Sequence, residues 1–399
     1  MKNKFLKIVS IYLAIMLLIT QLNITAKEIE PYDLYSISAV LIDGDDGRIL
    51  LEKNPFEVRA MASTTKIMTL ILALENGKLD DIVEISEYAA SMPKVKLGLT
   101  KGKKYYLKDL LYSMMLESHN DSAVAVAECI SGNVTDFAKL MNDKARELNL
   151  DNTYFITPNG LDSENEINKH STTAYELALI MKYCITDSPM KDEFIEICQT
   201  REYRFSDVDN TSEHIVYNRN AFLDKMDGVI AGKTGFTSEA GYCYVCALEN
   251  EGQTYVLALL GCGWPYNKNY KWTDSKYLFE YAIENFRNEN ILNPDTFSNK
   301  IKVDNAIDSD YIETYIRDSI DISMCDEDEI EYKINMPAKK EAPIYKNQPV
   351  GSVDIYINNE LYRSVIVYSA QSVKKNNYIY HLKHILKKYM FAKSNNQFV

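Results

Sequence analysis

The sequence predicts an α+β protein in which helices pack on an antiparallel sheet, followed by a small all-β domain. Strand-like segments occur near residue 40 and return after residue 228, and helical patterns fill the chain between them. Short alternating segments without a helical period then continue from about 300 to 370. Strands that enclose a run of helices are typical of helices packed on an antiparallel sheet.

The first 26 residues have the pattern of an export signal. Three lysines precede the apolar run 8–19, which is shorter than the roughly 20 residues that span a bilayer. Thr25 and Ala26 then offer a small-residue cleavage point. We expect residues 1–26 to be a signal peptide and the protein to be exported, with an uncleaved N-terminal anchor as the alternative.

The elements of the first domain, predicted over 27–289, follow one another in a simple order. Residues 37–52 predict two strands, and 63–77 predict a helix that is apolar nearly all round and therefore belongs in the middle of a domain. A hairpin is expected over 242–260 and a last helix over 274–289. The remaining predicted helices are 107–117, 121–130, 134–148 and 172–185.

The composition changes near residue 290. Asn and Pro residues predict a linker over 290–300, in front of a β-rich domain that we place at 290–372. In the tail, 373–399, apolar residues recur at helical spacing from Tyr378 to Met390 with lysines among them. A basic amphipathic helix of this kind predicts attachment to a membrane surface, and the alternative is a helix packed on its own domain.

Charge and cysteines limit the possible partners. The net charge is −13, whereas nucleic-acid binding needs a basic face, so we expect no nucleic-acid partner. Cys243 and Cys246 fall in a predicted strand, where residues three apart point to opposite faces and can neither chelate nor bridge locally. We therefore expect the seven cysteines to be free thiols that mostly fill a core, with no metal and no cofactor.

Two motifs supply a nucleophile and its surroundings. Ser63-Thr64-Thr65-Lys66 places serine and lysine on one face at the start of the buried helix, where a lysine with a lowered pKa could take the serine proton. Ser118-His119-Asn120 connects two helices, so that Ser118 and Asn120 can face one cavity. The Ser-x-x-Lys spacing alone identifies nothing, because it also occurs at Ser91, Ser188 and Ser372. Ser131-Gly132-Asn133 is expected to be a helix cap and turn.

The third motif, Lys233-Thr234-Gly235, occurs once and suits a carboxylate. Lys233 supplies a charge and Thr234 a hydroxyl, while Gly235 removes the side chain where a substrate backbone must come close. The backbone N–H groups of Phe236 and Ser63 could form an oxyanion hole. Each motif is weak in isolation, but the three in this order are the signature of penicillin-recognising serine enzymes.

Residues 36–285 resemble the D-alanyl-D-alanine carboxypeptidases, which are the low-molecular-mass penicillin-binding proteins. The resemblance extends beyond the three motifs to Gly47-Arg48-Ile49-Leu50, Pro158-Asn159-Gly160-Leu161, His170-Ser171-Thr172-Thr173-Ala174 and Phe236-Thr237-Ser238-Glu239-Ala240-Gly241-Tyr242-Cys243. It implies a β-lactamase/transpeptidase-like catalytic domain. A signal peptide, a β-rich second domain and a basic amphipathic tail are also this family's layout.

The resemblance implies an activity and a role for each site residue. Ser63 would be the acylated nucleophile, Lys66 its base and Ser118 a proton relay, and the substrate would be bound by Asn120, Lys233, Thr234, Gly235 and Phe236. The enzyme would remove the terminal D-alanine from peptidoglycan stem pentapeptides at the outer face of the cytoplasmic membrane or in the cell wall, and β-lactams would inhibit it. Phe236 stands where Tyr or His is common and His119 where a small residue is usual, which concerns substrate preference.

Two other functions use the same scaffold. A β-lactamase of class A shares the three motifs and adds a glutamate for deacylation, and the segment Glu164-Asn165-Glu166-Ile167-Asn168 superficially resembles that loop. The same segment also fits the carboxypeptidase pattern between Gly160 and His170. A non-catalytic wall-binding protein is the second alternative, although a pure binder has no need of a complete acid–base set.

Overall fold

The structure, a computed structural model, describes residues 34–395, with side chains described as far as Tyr389. The predicted signal peptide, residues 1–26, lies outside the described residues. The described chain forms two compact units. The first runs to Leu248 and includes Tyr255–Leu278, and the second comprises Glu249–Thr254 and the chain from Phe279 onwards.

A five-stranded sheet with the order β2-β1-β9-β8-β7 underlies the first unit. As far as residue 260, the strands of the described chain are β1 (Ser38–Asp43), β2 (Ile49–Lys53), β3 (Ile82–Glu84), β4 (Lys104–Tyr106), β5 (Glu202–Ser206), β6 (Glu213–Tyr217), β7 (Val229–Thr237), β8 (Gly241–Asn250) and β9 (Gln253–Leu260). The pairs β1–β2, β1–β9 and β7–β8 are antiparallel. β7 therefore lies at an edge of the sheet, where one side of the strand is open to the functional site.

Much of the chain between β2 and β7 is helical, and it also contains the short strand pairs β3–β4 and β5–β6. The α-helices of this region are α1 (Lys66–Asn76), α2 (Glu87–Ala90), α3 (Leu107–Leu116), α4 (Asn120–Ser131), α5 (Val134–Glu147), α6 (Ala174–Lys182) and α7 (Lys191–Gln199), and α8 (Tyr270–Asn285) follows β9. As its apolar circumference predicts, α1 is central, since every residue from Lys66 to Leu74 is buried. The expected start of this helix is wrong, because Ala62–Thr65 form a separate 3₁₀ turn before it.

Two other boundaries differ from the sequence prediction. The helix expected over 172–185 ends as an α-helix at Lys182 and continues as the π-helical turn Tyr183–Asp187. The helix expected over 274–289 ends at Asn285, and Arg287–Leu292 form strand β10 instead. Residues 287–292 form a strand because they pair with a strand distant in the sequence, Ile320–Met324. The local sequence does not indicate such a partner.

The second unit is built of strands, as expected for a small all-β domain. After β10 come β11 (Asn299–Asp304), β12 (Tyr311–Tyr315), β13 (Ile320–Met324), β14 (Ile330–Asn335), β15 (Lys339–Glu341), β16 (Pro349–Ile357) and β17 (Glu360–Ser369). Six of them form a sheet of order β14-β16-β17-β12-β11-β15, and β10 pairs with β13. The predicted hairpin joins β16 to β17, and its Asn358 and Asn359 have φ values of 51° and 67°, as a two-residue hairpin turn requires.

The ends of this unit lie differently from the predicted limits. The linker expected at 290–300 is shortened, because β10 occupies its first residues. Val373, expected at the start of the tail, is buried in the core of the β unit and pairs with Ile344. Helix α9 (Tyr378–Asn395) follows. Among the described residues no helix is long and apolar enough to cross a bilayer.

Candidate active site

Ser63 lies on the buried 3₁₀ turn Ala62–Thr65 that leads into α1. Residues three apart in a 3₁₀ turn lie above one another, so this turn brings Lys66 to the same side as Ser63. Lys66 Nζ is 2.9 Å from Ser63 Oγ. The turn begins with Ala62 at a φ of 48°, a left-handed conformation that non-glycine residues seldom adopt and that marks a locally constrained backbone.

The Lys66 amine is fully buried and has fixed partners. Its Nζ is 3.0 Å from Asn120 Oδ1 and 2.5 Å from the Asn159 carbonyl oxygen. Burial lowers the pKa of Lys66 well below its ordinary value of 10.5, and the nearby charge of Lys233 lowers it further. A neutral amine has two hydrogens and one lone pair. When the two oxygen acceptors take the hydrogens, the lone pair is directed at the hydroxyl of Ser63.

Lys233 is the second buried amine of the site. Its Nζ donates to Ser118 Oγ and to the Thr234 carbonyl, each at 2.9 Å. Burial lowers the pKa of Lys233 to about 7. Ser118 has a φ of 66°, so the connector between α3 and α4 is held in a sparsely populated conformation that turns this hydroxyl to the lysine.

The edge strand β7 packs directly against the turn that carries Ser63. A Cβ atom on Gly235 would lie 2.8 Å from the backbone nitrogen of Ser63 and 3.0 Å from Ala62 Cβ, so only glycine allows this approach. Thr234 precedes it and is half-buried. The ring of Phe236 is 41% exposed and lies 4.6 Å from the ring of Tyr242, which places an aromatic surface beside the open edge of the strand.

The structure thus brings Lys66 into direct contact with both Ser63 and Asn120 and joins Ser118 to Lys233 in a separate contact. His119, which is not expected to be catalytic, lies with Nδ1 2.8 Å from Ser113 Oγ and is buried. Burial lowers its pKa. His119 therefore supports the connector through its contact with Ser113.

Asn159 is a site residue to which the sequence analysis assigned no role. Its carbonyl oxygen accepts from Lys66 at 2.5 Å and from Ser63 Oγ at 3.3 Å. Gly160 follows with a φ of 81°, and a Cβ there would lie 2.0 Å from the Ala62 carbonyl oxygen. The Pro-Asn-Gly sequence is a turn signal, but it does not say which buried amine the turn will meet.

Asp121 also lacked an assigned role. Its carboxylate accepts hydrogen bonds from the backbone N–H groups of Leu97, Gly98 and Leu99, at 2.8–3.0 Å. Asn120 Nδ2 contacts the Pro93 carbonyl oxygen at 3.3 Å. The loop before α3 is thereby fastened to the start of α4, beside the two lysines.

The other Ser-x-x-Lys and Ser-x-Asn matches have structural surroundings of their own, and Ser188, which is buried, donates to Glu75 Oε1 at 2.7 Å. Gly132 ends α4 with a φ of 78°, and the Asn133 side chain accepts from the N–H of Asp136 at the start of α5, as expected for a cap and turn. Ser91 is exposed after α2. Glu164 and Glu166, the residues that superficially resemble a deacylation loop, are exposed to solvent, which does not favour the β-lactamase alternative.

The cysteines are free thiols, as expected, and five of the seven are buried. Cys243 and Cys246 both lie in β8. Burial raises the pKa of each to about 12, so neither is a nucleophile at neutral pH. No cluster of three or more metal-ligating side chains occurs in the part of the chain that the structure describes.

Comparison with known sequences gives a family for both units. Residues 24–262 match the model of the D-alanyl-D-alanine carboxypeptidase family, and residues 286–375 match that of the penicillin-binding protein 5 C-terminal domain. The D-alanyl-D-alanine carboxypeptidase DacF of Bacillus subtilis (strain 168) is 32% identical over 355 residues, covering 87% of this chain and 88% of that protein. DacA of Haemophilus influenzae (strain ATCC 51907 / DSM 11121 / KW20 / Rd), also named a D-alanyl-D-alanine carboxypeptidase, is 31% identical over 69% of this chain and 70% of its own length.

Solved structures agree with this assignment. Penicillin binding protein 5 from Haemophilus influenzae is 26% identical with a TM-score of 0.71, over 87% of this chain and 100% of that one. Penicillin-binding protein D2 from Listeria monocytogenes, solved in its ampicillin-bound form, is 25% identical with a TM-score of 0.53, over 62% of this chain and 96% of that one. The predicted fold class, a transpeptidase-like domain followed by a small β domain, is confirmed.

Proposed function

The chain belongs to the D-alanyl-D-alanine carboxypeptidase family, and from that premise we propose that Ser63 is the residue acylated when the terminal D-alanine of a peptidoglycan stem pentapeptide is removed. The observation that carries this assignment is the 2.9 Å contact between Lys66 Nζ and Ser63 Oγ. Asn120 and Asn159 hold the same amine from two other directions. This geometry supplies a nucleophile with an oriented base.

In the proposed acylation step, Lys66 acts as the base and Ser118 as the proton relay. Ser63 Oγ forms a bond to the carbonyl carbon of the D-alanyl-D-alanine peptide, and its proton passes to the neutral amine of Lys66. When the C–N bond breaks, this proton reaches the leaving amine through the hydroxyl of Ser118. The acyl group stays on Ser63 as an ester. Water then adds to the ester carbonyl, gives a proton to Lys66 and releases the shortened peptide while Ser63 regains its hydrogen.

Substrate binding is assigned to the strand and connector beside the nucleophile. The cationic form of Lys233 and the hydroxyl of Thr234 would bind the terminal carboxylate, and Asn120 Nδ2 would donate to a substrate carbonyl. The close approach of Gly235 to the Ser63 nitrogen supports an oxyanion hole formed by the N–H groups of Ser63 and Phe236. β-Lactams would acylate Ser63 in the same way, in line with the ampicillin-bound relative.

The test is acylation of variants by a fluorescent penicillin, with release of D-alanine from a pentapeptide followed by mass spectrometry. Ser63→Ala is expected to lose both labelling and D-alanine release, because the ester cannot form. Ser91→Ala is the matched control, since Ser91 has the same spacing to a lysine but is exposed. Labelling that persists in Ser63→Ala, or that disappears in Ser91→Ala, would remove Ser63 as the nucleophile.

Export and membrane attachment complete the proposal. Residues 1–26 have the pattern of a signal peptide, and a substrate in the peptidoglycan requires an enzyme outside the cytoplasm. In α9, Ile379, Leu382, Ile385 and Leu386 are all exposed, Lys383 lies between them, and Lys387 and Lys388 follow directly. An apolar helix face flanked by cations is the pattern of a helix that lies in the headgroup region of an anionic membrane, so α9 would hold the enzyme at the outer face of the cytoplasmic membrane.

A further inference from the structure

His170 is a buried imidazole next to the nucleophile that has no part in the steps above. Its ring is 3% exposed, and Nε2 lies 2.8 Å from Thr65 Oγ1, on the turn that carries Ser63. On the other side of the ring, Nδ1 accepts a hydrogen bond from the N–H of Ile156 at 2.9 Å. One side chain therefore joins two backbone segments.

The hydrogen bonds fix the proton on this ring. The Ile156 N–H can only donate, so Nδ1 must be an acceptor without hydrogen. Thr65 Oγ1 lies 2.8 Å from the Ala62 carbonyl oxygen and donates to it, so it accepts from Nε2–H. The imidazole is therefore neutral with its hydrogen on Nε2. Burial lowers the pKa of His170 to about 4, which keeps this form at neutral pH.

Both segments that His170 joins lead to Lys66, the proposed base. Thr65 immediately precedes Lys66, and Ile156 leads into the turn whose Asn159 carbonyl is 2.5 Å from Lys66 Nζ. Within this turn, the Gly160 N–H donates to Thr157 Oγ1 at 3.2 Å. The position of the Asn159 oxygen relative to the nucleophile turn is thus set by contacts through His170, together with the hydrogen bond that Thr69 Oγ1 donates to the Pro158 carbonyl at 2.6 Å.

We propose that His170 is a positioning residue that holds the Asn159 carbonyl against Lys66, so that the lone pair of the neutral amine is directed at Ser63. This inference rests on the proposed roles of Ser63 and Lys66. Without the Thr65–His170–Ile156 connection, the Asn159 oxygen would be held by fewer contacts and less firmly relative to the amine. The amine could then turn its lone pair away from the serine hydroxyl, and fewer encounters with substrate would lead to acylation.

A pair of Thr65 variants tests this link while leaving His170 in place. Thr65→Val keeps the shape and removes the hydroxyl, and Thr65→Ser keeps the hydroxyl. We expect the rate constant for acylation by a fluorescent penicillin to fall on the order of 10- to 100-fold in Thr65→Val. Thr65→Ser should recover most of that loss. Equal acylation rates in the wild type, the valine variant and the serine variant would overturn the proposal.

The pH dependence of acylation separates positioning from general damage to the fold. The Asn159 carbonyl stabilises the protonated form of Lys66, so loosening it should move the acid limb of the acylation profile to lower pH as well as lowering the plateau. Partial unfolding would lower the amplitude of labelling and leave the limb in place. A Thr65→Val profile that is scaled down without any shift would therefore count against the positioning role.

The surroundings of His170 offer a chemical rescue as an independent measurement. His170 borders a pocket of about 310 Å³ whose other lining residues include Arg59, Lys169, Glu239 and Trp264. In His170→Ala this pocket gives free imidazole a route to the vacated position, and added imidazole is expected to raise the acylation rate. His170→Gln, which can replace the Nε2–H donor but not the Nδ1 acceptor, should respond little.

The results distinguish a failure of this inference from a failure of the proposed function on which it rests. A wild-type protein that fluorescent penicillin does not label at Ser63 would refute the proposed function itself. Normal labelling of the wild type, together with full activity in Thr65→Val, would refute only the role of His170. If His170→Ala does not fold, the Thr65 pair decides, because both of its members keep the imidazole.

Discussion

At the residue scale, the proposed mechanism uses two buried lysines and needs them in opposite protonation states. Lys66 must be neutral to accept the serine proton, and burial together with the charge of Lys233 favours that form. Lys233 must be cationic to bind a carboxylate, yet burial lowers its pKa to about 7 in the free enzyme. A substrate carboxylate would restore the charge of Lys233, and that charge would in turn keep Lys66 neutral.

Removing each lysine should therefore impair the activity in a different way. Lys66→Ala is expected to abolish acylation by every substrate, because the base is lost. Lys233→Ala is expected to weaken transition-state binding by about 2 kcal/mol, mainly for ligands with the carboxylate, since it removes one charge-assisted contact. The measurement is kcat/KM for a carboxylate substrate and its amide analogue. Equal losses for the two substrates in Lys233→Ala would contradict the carboxylate role.

The pH profile gives a second prediction for Lys233. In the free enzyme this amine is cationic below its pKa of about 7 and neutral above it. We expect kcat/KM for a carboxylate substrate to fall as pH rises through about 7. Lys233→Arg keeps its charge at all accessible pH values, so this alkaline limb should vanish even if the absolute rate is lower. The same limb in the arginine variant would show that another group titrates.

His170 should also link stability to pH. Its pKa is about 4 in the folded protein and 6.5 for an ordinary histidine, so between these values the unfolded chain binds a proton that the folded chain does not. The free energy of unfolding therefore falls as the pH drops from 6.5 to 4. Relative to His170→Gln, the wild type should lose on the order of 3 kcal/mol across this window. Denaturant unfolding at several pH values measures the difference, and parallel curves would contradict the buried neutral state.

Sequence reasoning at this scale found side chains but not backbone groups. The serine, lysine and asparagine motifs are visible because their spacing is unusual in combination. The Asn159 carbonyl has no such signature, because every residue has a carbonyl and only the folded turn decides which one meets Lys66. His170 was part of the family resemblance, but its two partners, Thr65 and Ile156, are distant in sequence.

At the scale of elements, the turn at Gly160 and the turn at Ala62 must pass each other closely. Both Gly160→Ala and Gly132→Ala place an alanine at positive φ, and that conformation alone costs about 1–2 kcal/mol. At Gly132 a Cβ meets nothing within 4 Å, whereas at Gly160 it would lie 2.0 Å from the Ala62 carbonyl oxygen. We therefore expect Gly160→Ala to lose both more stability and most of its acylation activity.

Gly132→Ala serves as the control for this comparison, since it carries the strained conformation without the close approach. It should unfold at slightly lower denaturant and be labelled by fluorescent penicillin at a rate close to that of the wild type. Equal stability and labelling in the two alanine variants would mean that the Gly160 turn can move away from Ala62 without consequence for the site.

Helix prediction was reliable for burial and unreliable for ends. The uniformly apolar circumference of α1 predicts its central position. Its start depends on β7, because the approach of Gly235 to the Ser63 nitrogen belongs to a strand more than a hundred residues away. The end of α8 likewise depends on the pairing of β10 with β13. Contacts between residues so far apart in the sequence produce no periodic pattern in the local sequence, so the helix ends cannot be predicted from it.

At the scale of the whole molecule, the proposed catalytic residues and the exposed tail helix belong to different compact units. All the proposed site residues precede residue 240, whereas α9 begins at Tyr378. Val373 and Lys375 still pair with strands or loops of the β unit, and the Asn376 N–H donates to the Asn305 carbonyl. A truncation after Asn377 therefore removes the helix and spares these contacts.

This truncation is expected to release the enzyme from vesicles of anionic lipid with D-alanine release unchanged. The exposed apolar residues of α9 would enter the headgroup region, and its lysines would be attracted to the lipid charge, so high salt should weaken binding of the full chain. Lys387→Glu/Lys388→Glu should weaken binding as well. Lys333→Glu/Lys346→Glu, which makes the same change in net charge at exposed positions of the β unit, should not. If the truncated chain sediments with vesicles as well as the intact one, α9 is not the attachment and the lipid contact lies elsewhere.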